Sequence, residues 1–91
     1  MGDREKLQIY SDIMHILLCK CGKMNQIYIE DLIQYHLSVR PEEEIRVCVS
    51  EITESDYPVN WQTQNQEILY LTDVDEAKEE YRAIRDEIFE Y

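Results

Sequence analysis

The sequence predicts a mostly helical α+β domain. Apolar residues recur three and four positions apart in four stretches, which is the spacing of amphipathic helices, and two aromatic and β-branched runs precede the last of them. The apolar share of 44% is that of an ordinary globular chain. Ninety-one residues suffice for one hydrophobic core and not for a second. We therefore expect residues 1–91 to form a single domain.

The first two predicted helices are separated by a glycine. Helix one runs from Leu7 to about Cys19 and should end at Cys21-Gly22-Lys23, where glycine favours a helix C-terminus. The second is expected from Ile27 to Leu37, with four side chains on one face: Ile29, Leu32, Ile33 and His36. Its start is open, because Asn25 could cap it or Met24 to Ile27 could pair as a brief strand.

The third helix has the clearest start signal. Pro41 is tolerated in a first helical turn, and Glu42, Glu43 and Glu44 suit the positive end of the helix dipole. The pattern from Ile45 to Ile52 fits either a helix or a strand, since its β-branched residues also alternate. The start signal favours the helix.

A hairpin and a last helix complete the chain. The runs Tyr57–Trp61 and Glu67–Thr72 flank a polar connection, as in a β-hairpin. Thr72 or Asp73 is expected to cap the last helix, with Glu76 completing a capping box. Its predicted inner face consists of Ala77, Tyr81, Ile84 and Ile88.

Two segments resemble the winged helix-turn-helix family. Ile27-Tyr28-Ile29-Glu30-Asp31-Leu32-Ile33 resembles the Ile-x-x-x-x-Leu opening of that family's second helix, and Ile68-Leu69-Tyr70-Leu71-Thr72-Asp73 is similar to its second wing strand and helix entry. The resemblance covers about Leu7 to Glu90. It implies a winged-helix-like fold with three helices, a two-stranded wing hairpin and a C-terminal helix. It rests on packing positions and identifies no functional residue.

The charge distribution opposes duplex DNA binding by this domain. Residues 1–40 carry five basic and five acidic side chains, whereas residues 41–91 carry four and fifteen, so the net charge of -11 belongs to the second half. The predicted recognition helix sets Glu42, Glu43, Glu44, Glu51 and Glu54 against one base, Arg46. Proteins gain non-specific affinity for DNA from lysine and arginine at phosphates. No direct duplex DNA binding is expected.

Catalytic, cofactor and metal sites are not expected. The carboxylates occupy helical stretches that look solvated, where nothing raises a carboxyl pKa towards the general-acid range. The cysteines Cys19, Cys21 and Cys48 lack the repeated Cys-x2-4-Cys spacing of structural zinc sites, so we interpret them as reduced, buried or half-buried thiols. His15 and His36 are interpreted as core or boundary residues. The sequence thus predicts a protein that is not an enzyme.

A protein partner with a basic surface is the remaining prediction. Small phage-encoded inhibitors of host defence nucleases, and other nucleic-acid mimics, present acidic helices in this way, so we expect an acidic protein-binding module of this phage or mobile-element type. Tyr57 and Trp61 join the charged residues of the third helix as candidate contacts, because aromatic residues are enriched in binding hot spots. Two alternatives stay open. The acidic helix is a solvated surface only, or the chain is a winged-helix regulator or adaptor that acts as a homodimer.

The chain is expected to be cytoplasmic. No apolar run approaches the roughly 18 to 20 residues that a membrane span needs. The opening residues also lack the basic-then-apolar order of a signal peptide. We therefore predict no membrane contact.

Overall fold

The computed structural model describes residues 2–62 and 64–89. Thr63, within the predicted hairpin connection, and Glu90, within the span of the family resemblance, lie outside the described residues, as do Met1 and Tyr91. The chain has an α+β fold made of four helical segments and one three-stranded antiparallel sheet. No helix in the described ranges is long and apolar enough to cross a membrane.

Helix α1 spans Asp3–Cys19. It ends at Cys19 as predicted, three residues before Gly22, and it begins four residues before the predicted Leu7. Gly22 adopts φ +68°, the left-handed conformation that glycine accepts without steric penalty, and opens a 3-10 turn over Gly22–Met24. Asn25 is also left-handed, with φ 48°, and its side-chain amide donates to the Leu17 carbonyl at 2.9 Å. These two residues turn the chain back across the end of α1.

Strand β1, Gln26–Tyr28, replaces the predicted start of the second helix. The prediction of a helix from Ile27 was wrong, because Ile27 pairs with Leu69 and the helix begins only after β1. Of the two alternatives left open, the brief strand is the one observed, displaced towards Tyr28. Ile27, a β-branched residue that is buried in the middle of β1, fits this placement.

Helix α2 begins with Ile29–Asp31 and continues in π-helical geometry over Leu32–His36. The amide of Leu37 donates to the Leu32 carbonyl five residues earlier, at 2.8 Å, so the turn holds one more residue than an α-turn. Leu37 therefore takes the buried position, and His36 is exposed. The prediction of His36 on the buried face was wrong for this reason.

Helix α3, Glu42–Glu54, begins directly after Pro41 as predicted, and Ile45 to Ile52 is helical.

Strands β2, Val59–Trp61, and β3, Ile68–Leu71, form the predicted hairpin, and β3 is the central strand in the order β1-β3-β2. Helix α4 spans Val74–Phe89, and the amide of Glu76 donates to the Asp73 carboxylate at 3.0 Å, as the predicted N-cap requires.

The core forms one cluster between the helices and one face of the sheet. Helix α4 packs along α1, and α3 contacts both α1 and β2. Of the predicted inner face of α4, Ala77, Ile84 and Ile88 are buried and Tyr81 is half-buried. The buried apolar side chains that α1 and α3 contribute to the same core cluster are Ile9, Ile13, Met14, Ile16, Leu17, Ile45, Cys48, Val49 and Ile52. This packing leaves one side of α3 and one side of α4 at the surface.

Candidate functional site

Four exposed residues form a stripe along the outer side of α3, with a glutamate at each end. Glu43, Val47, Ser50 and Glu54 are exposed and are separated by four, three and four residues, so they share one outward stripe of the helix. Val47 keeps 45% of its surface exposed at the centre of this stripe. We call these four residues the α3 stripe. It offers a partner two carboxylates and one apolar contact.

Arg46, the only base of α3, is held in two ion pairs. Its Nε donates to Oε2 of Glu42 at 2.9 Å, and its Nη2 donates to Oε1 of Glu30 on α2 at 3.3 Å. Glu42 lies one helical turn away, where side chains meet on a helix surface. The hydrogen bond to Glu42 raises the pKa of Arg46 above its ordinary value. The guanidinium is thus already surrounded by acceptors, and two carboxylates neutralise its charge.

A groove separates α3 from the hairpin. Its volume is about 330 Å3. Arg46 and Glu54 line the helix side, and half-buried Trp61 with Asn60 and Gln66 lines the hairpin side. This groove joins three of the sequence-predicted contact residues in one concave site. Trp61 packs partly against the core and also lines this groove.

Glu51 is half-buried and is bound by two side chains of α1. Its Oε2 accepts a hydrogen bond from the Tyr10 hydroxyl at 2.7 Å, and its Oε1 accepts one from Lys6 Nζ at 3.0 Å. These two bonds hold the pKa of Glu51 below its usual value. Burial, and then the hydrogen bond to Glu51, raise the pKa of Tyr10. The sequence offered no signal for this cluster, since Glu51 lies 45 and 41 residues from Lys6 and Tyr10.

Glu44 and Tyr57 lie away from the groove. Half-buried Glu44 lines a shallow depression together with Lys6. The ring of Tyr57 meets the ring of Tyr10 edge-on, with centroids 5.6 Å apart and planes inclined by 60°. The predicted contact residues therefore divide between the hairpin side of α3 and its α1 side.

The thiols and imidazoles lie apart from this surface. Cys48 is buried and Cys21 is half-buried, as expected, but Cys19 is exposed, because it is the last residue of α1. Burial raises the pKa of both Cys21 and Cys48 above the usual thiol value. Within residues 2–62 and 64–89, no three His, Cys, Asp or Glu side chains are placed to hold a metal ion.

Two groups of surface residues were not among the candidate functional residues predicted from the sequence. Glu30 pairs with Arg46 from another helix, and Asn60 faces the groove; neither position has a local signature. Lys78, Arg82 and Arg85 did have one, since their spacing of four and three residues places them on one face of α4. Comparison of the chain with protein-family models, curated proteins and solved structures finds no significant match.

Proposed function

We propose that this protein is a small acidic binding module that occupies a basic, nucleic-acid-binding surface of another protein. It does so with its α3 surface, the exposed side of α3 that carries Glu42, Glu43 and Glu54. One observation carries the proposal. The acidic side of α3 faces solvent, while the only base on that helix is neutralised by Glu42 and Glu30. The function is binding, and no step of catalysis is assigned to these side chains.

Charge is the first support. Glu42, Glu43 and Glu54 are exposed along one helix, and the domain carries a net charge of -11. Such an array of anions produces a potential that steers a basic protein towards it and raises the association rate, as a nucleic acid backbone does. The same potential repels DNA phosphates. A basic protein surface is therefore the complementary partner.

The groove beside α3 supplies the second support. Charge alone steers encounters, whereas a buried aromatic anchor contributes most to affinity in many interfaces. Trp61 and Glu54 line the same groove, and Trp61 is only half-buried, so an incoming side chain can still cover it. An arginine of the partner suits this site, because its guanidinium can stack on an indole ring and pair with a carboxylate.

We propose further that the fold is of the winged-helix type. The order helix, strand, helix, helix, hairpin, helix and the antiparallel strand order β1-β3-β2 support this. In that fold α3 is the helix expected to enter a DNA groove. Here its free charges are acidic, which favours a protein that has kept the scaffold and changed the partner.

A charge-matched pair of variants tests the proposal. Partners are captured from the native host on the immobilised protein and identified by mass spectrometry, and their affinity is then measured at several salt concentrations. Replacement of Glu42, Glu43 and Glu54 by glutamine should weaken binding by about tenfold or more at low salt and flatten its salt dependence. Trp61→Ala should weaken the same complex by faster dissociation.

The control changes the same number of charges on α4. Replacement of Glu79, Asp86 and Glu87 by glutamine alters the net charge equally but leaves the α3 surface intact. Circular dichroism checks that each variant is folded, since Glu42 and Glu43 also stabilise the N-terminus of α3. If both triple variants bind alike, the charge of α3 is a solvated surface. The homodimeric adaptor is then the better hypothesis.

A further inference from the structure

A second groove lies between the last turns of α1 and the middle of α4. Its volume is about 410 Å3. Its lining comes from these two helices alone, and no residue of α3 or of the hairpin reaches it. It is thus distinct from the α3 surface to which the proposed function is assigned.

The floor of this groove is apolar and aromatic. Half-buried Leu18 and Tyr81 pack against the core and keep part of their surface open. The His15 imidazole stacks on the Tyr81 ring, with centroids 5.4 Å apart and planes inclined by 27°. Exposed Cys19 stands at the edge. Such a floor suits a hydrocarbon or aromatic body better than a fully hydrated ion.

The rim is cationic. Lys78, Arg82 and Arg85 line it from successive turns of α4, and they are three of the nine bases in a chain with twenty acids. None of the three makes an ion pair with another described residue. Arg85 lies over the rings of Phe89 and Tyr81, at 4.6 and 5.8 Å from their centroids. Donors of all three remain available to an anion.

We propose that this groove binds a small amphipathic anion, a carboxylate carried on an aliphatic or aromatic body. The body covers Leu18 and Tyr81, and the carboxylate accepts hydrogen bonds from the basic rim. Arginine presents paired donors that match a carboxylate, and such charge-assisted bonds are about twice as strong as neutral ones. Known ligand pockets have volumes of about 300 to 1,000 Å3 and combine an apolar lining with a few polar groups.

The size of the groove favours a small molecule over a protein. Along α4 the lining extends from Lys78 to Arg85, about two helical turns or roughly 10 Å. A stable protein partner generally buries more than about 1,000 Å2 in total, well beyond this lining. The test must therefore distinguish a small-molecule ligand from a helix of another protein and from a second copy of this chain.

Decanoate, decyltrimethylammonium and decanol serve as probes below their micellar or solubility limits. They share one hydrocarbon chain and differ in charge. Calorimetry measures binding, and the rate of Cys19 modification by a maleimide reports occupancy in a Cys21→Ser variant, where Cys48 is buried. Decanoate should bind and slow the modification of Cys19. Decanol and the cationic probe should bind at least about tenfold more weakly.

Variants locate the site. Replacement of both Lys78 and Arg82 by glutamine should weaken decanoate binding by about tenfold or more, whereas a double variant of bases outside the groove, Lys23→Gln with Arg40→Gln, should bind as wild type does. Cys19→Glu places a carboxylate at the rim and should compete with the probe. Calorimetry reports on this second variant independently of thiol labelling.

Four results would overturn the proposal. They are equal binding of the three probes, unchanged binding by the Lys78 and Arg82 variant, protection of Cys19 by self-association without any probe, and protection of Cys19 only by a captured protein. Sedimentation velocity separates the third from the others. Failure of these tests leaves the α3 proposal standing, because the two sites share no residue.

Discussion

Helices α3 and α4 both belong to the acidic half of the chain, yet the basic side chains on their surfaces have different ionic contacts. On α3, Arg46 lies one turn from Glu42 and opposite Glu30, so its charge is cancelled and the exposed acids dominate. On α4, Lys78, Arg82 and Arg85 line an apolar groove and make no ion pair with another described residue, so their charge stays available. Position relative to neighbours, more than composition, decides which charge a helix surface presents.

The largest expected change in the free energy of unfolding concerns the core side of α4, compared with its exposed bases. Ile84 is 3% exposed within the core, so Ile84→Ala should lower the free energy of unfolding by about 2 to 5 kcal/mol through lost contacts and a residual cavity. The glutamine variant of Lys78 and Arg82 should change it by about 0.5 kcal/mol or less, because these bases are exposed and make no ion pair with another described residue. Urea unfolding measures both. Equal losses would mean that the α4 bases have a structural role, contrary to the comparison.

A smaller effect is expected where α3 meets α1. Tyr10→Phe removes one hydrogen bond to Glu51 and should lower the free energy of unfolding by about 1 kcal/mol. In a double-mutant cycle, Tyr10→Phe and Glu51→Ala should show coupling, since each change removes the hydrogen bond between Tyr10 and Glu51. Purely additive losses would show that the bond makes no net contribution.

The same cluster should give the stability a characteristic pH dependence. The pKa of Tyr10 is raised in the folded state, so its contribution is complete below the ordinary tyrosine pKa of about 10 and is lost as pH rises above it. The pKa of Glu51 is lowered, so its contribution is complete above about pH 4.3 and is lost as pH falls through the folded-state value. Tyr10→Phe should flatten the alkaline loss. Tyr28→Phe, at an exposed tyrosine, should leave it unchanged, and equal slopes in the two variants would contradict the assignment.

Much of this architecture could be predicted because its signals are local. Pro41 followed by three glutamates started α3 at the observed residue, and Asp73 capped α4 as its spacing to Glu76 indicated. The hairpin followed from two β-branched and aromatic runs. Each of these signals lies within a few residues of the feature that it specifies.

The errors arose where tertiary contacts override local pattern. Ile27 has helical spacing to its neighbours, but pairing with Leu69, more than 40 residues away, makes it a strand residue. The extra residue in the turn before Leu37 exposed His36, and no periodicity analysis detects such a shift. At the candidate site, the sequence predicts that Glu51 is a solvated carboxylate, because its hydrogen-bond partners Lys6 and Tyr10 are distant in sequence.

The smallest expected effect sharpens the contrast between the helices. Arg46→Gln removes two exposed ion pairs and should change the free energy of unfolding by about 0.5 kcal/mol or less. It also releases Glu42 and Glu30, making the α3 surface more acidic. Affinity for a basic partner should therefore rise modestly, by about threefold or less, and more at low salt. Weaker binding would assign Arg46 itself to the interface.

Competition with duplex DNA tests the central claim most directly. The captured partner is held on the immobilised protein while a DNA duplex is titrated at about physiological salt, after a gel shift has shown that the isolated module binds no DNA. If α3 occupies a nucleic-acid-binding surface, the duplex should displace the module from its partner, and the glutamine variant of Glu42, Glu43 and Glu54 should be displaced at lower DNA concentration. Formation of a ternary complex of module, partner and DNA, with no displacement at saturating duplex, would contradict the account.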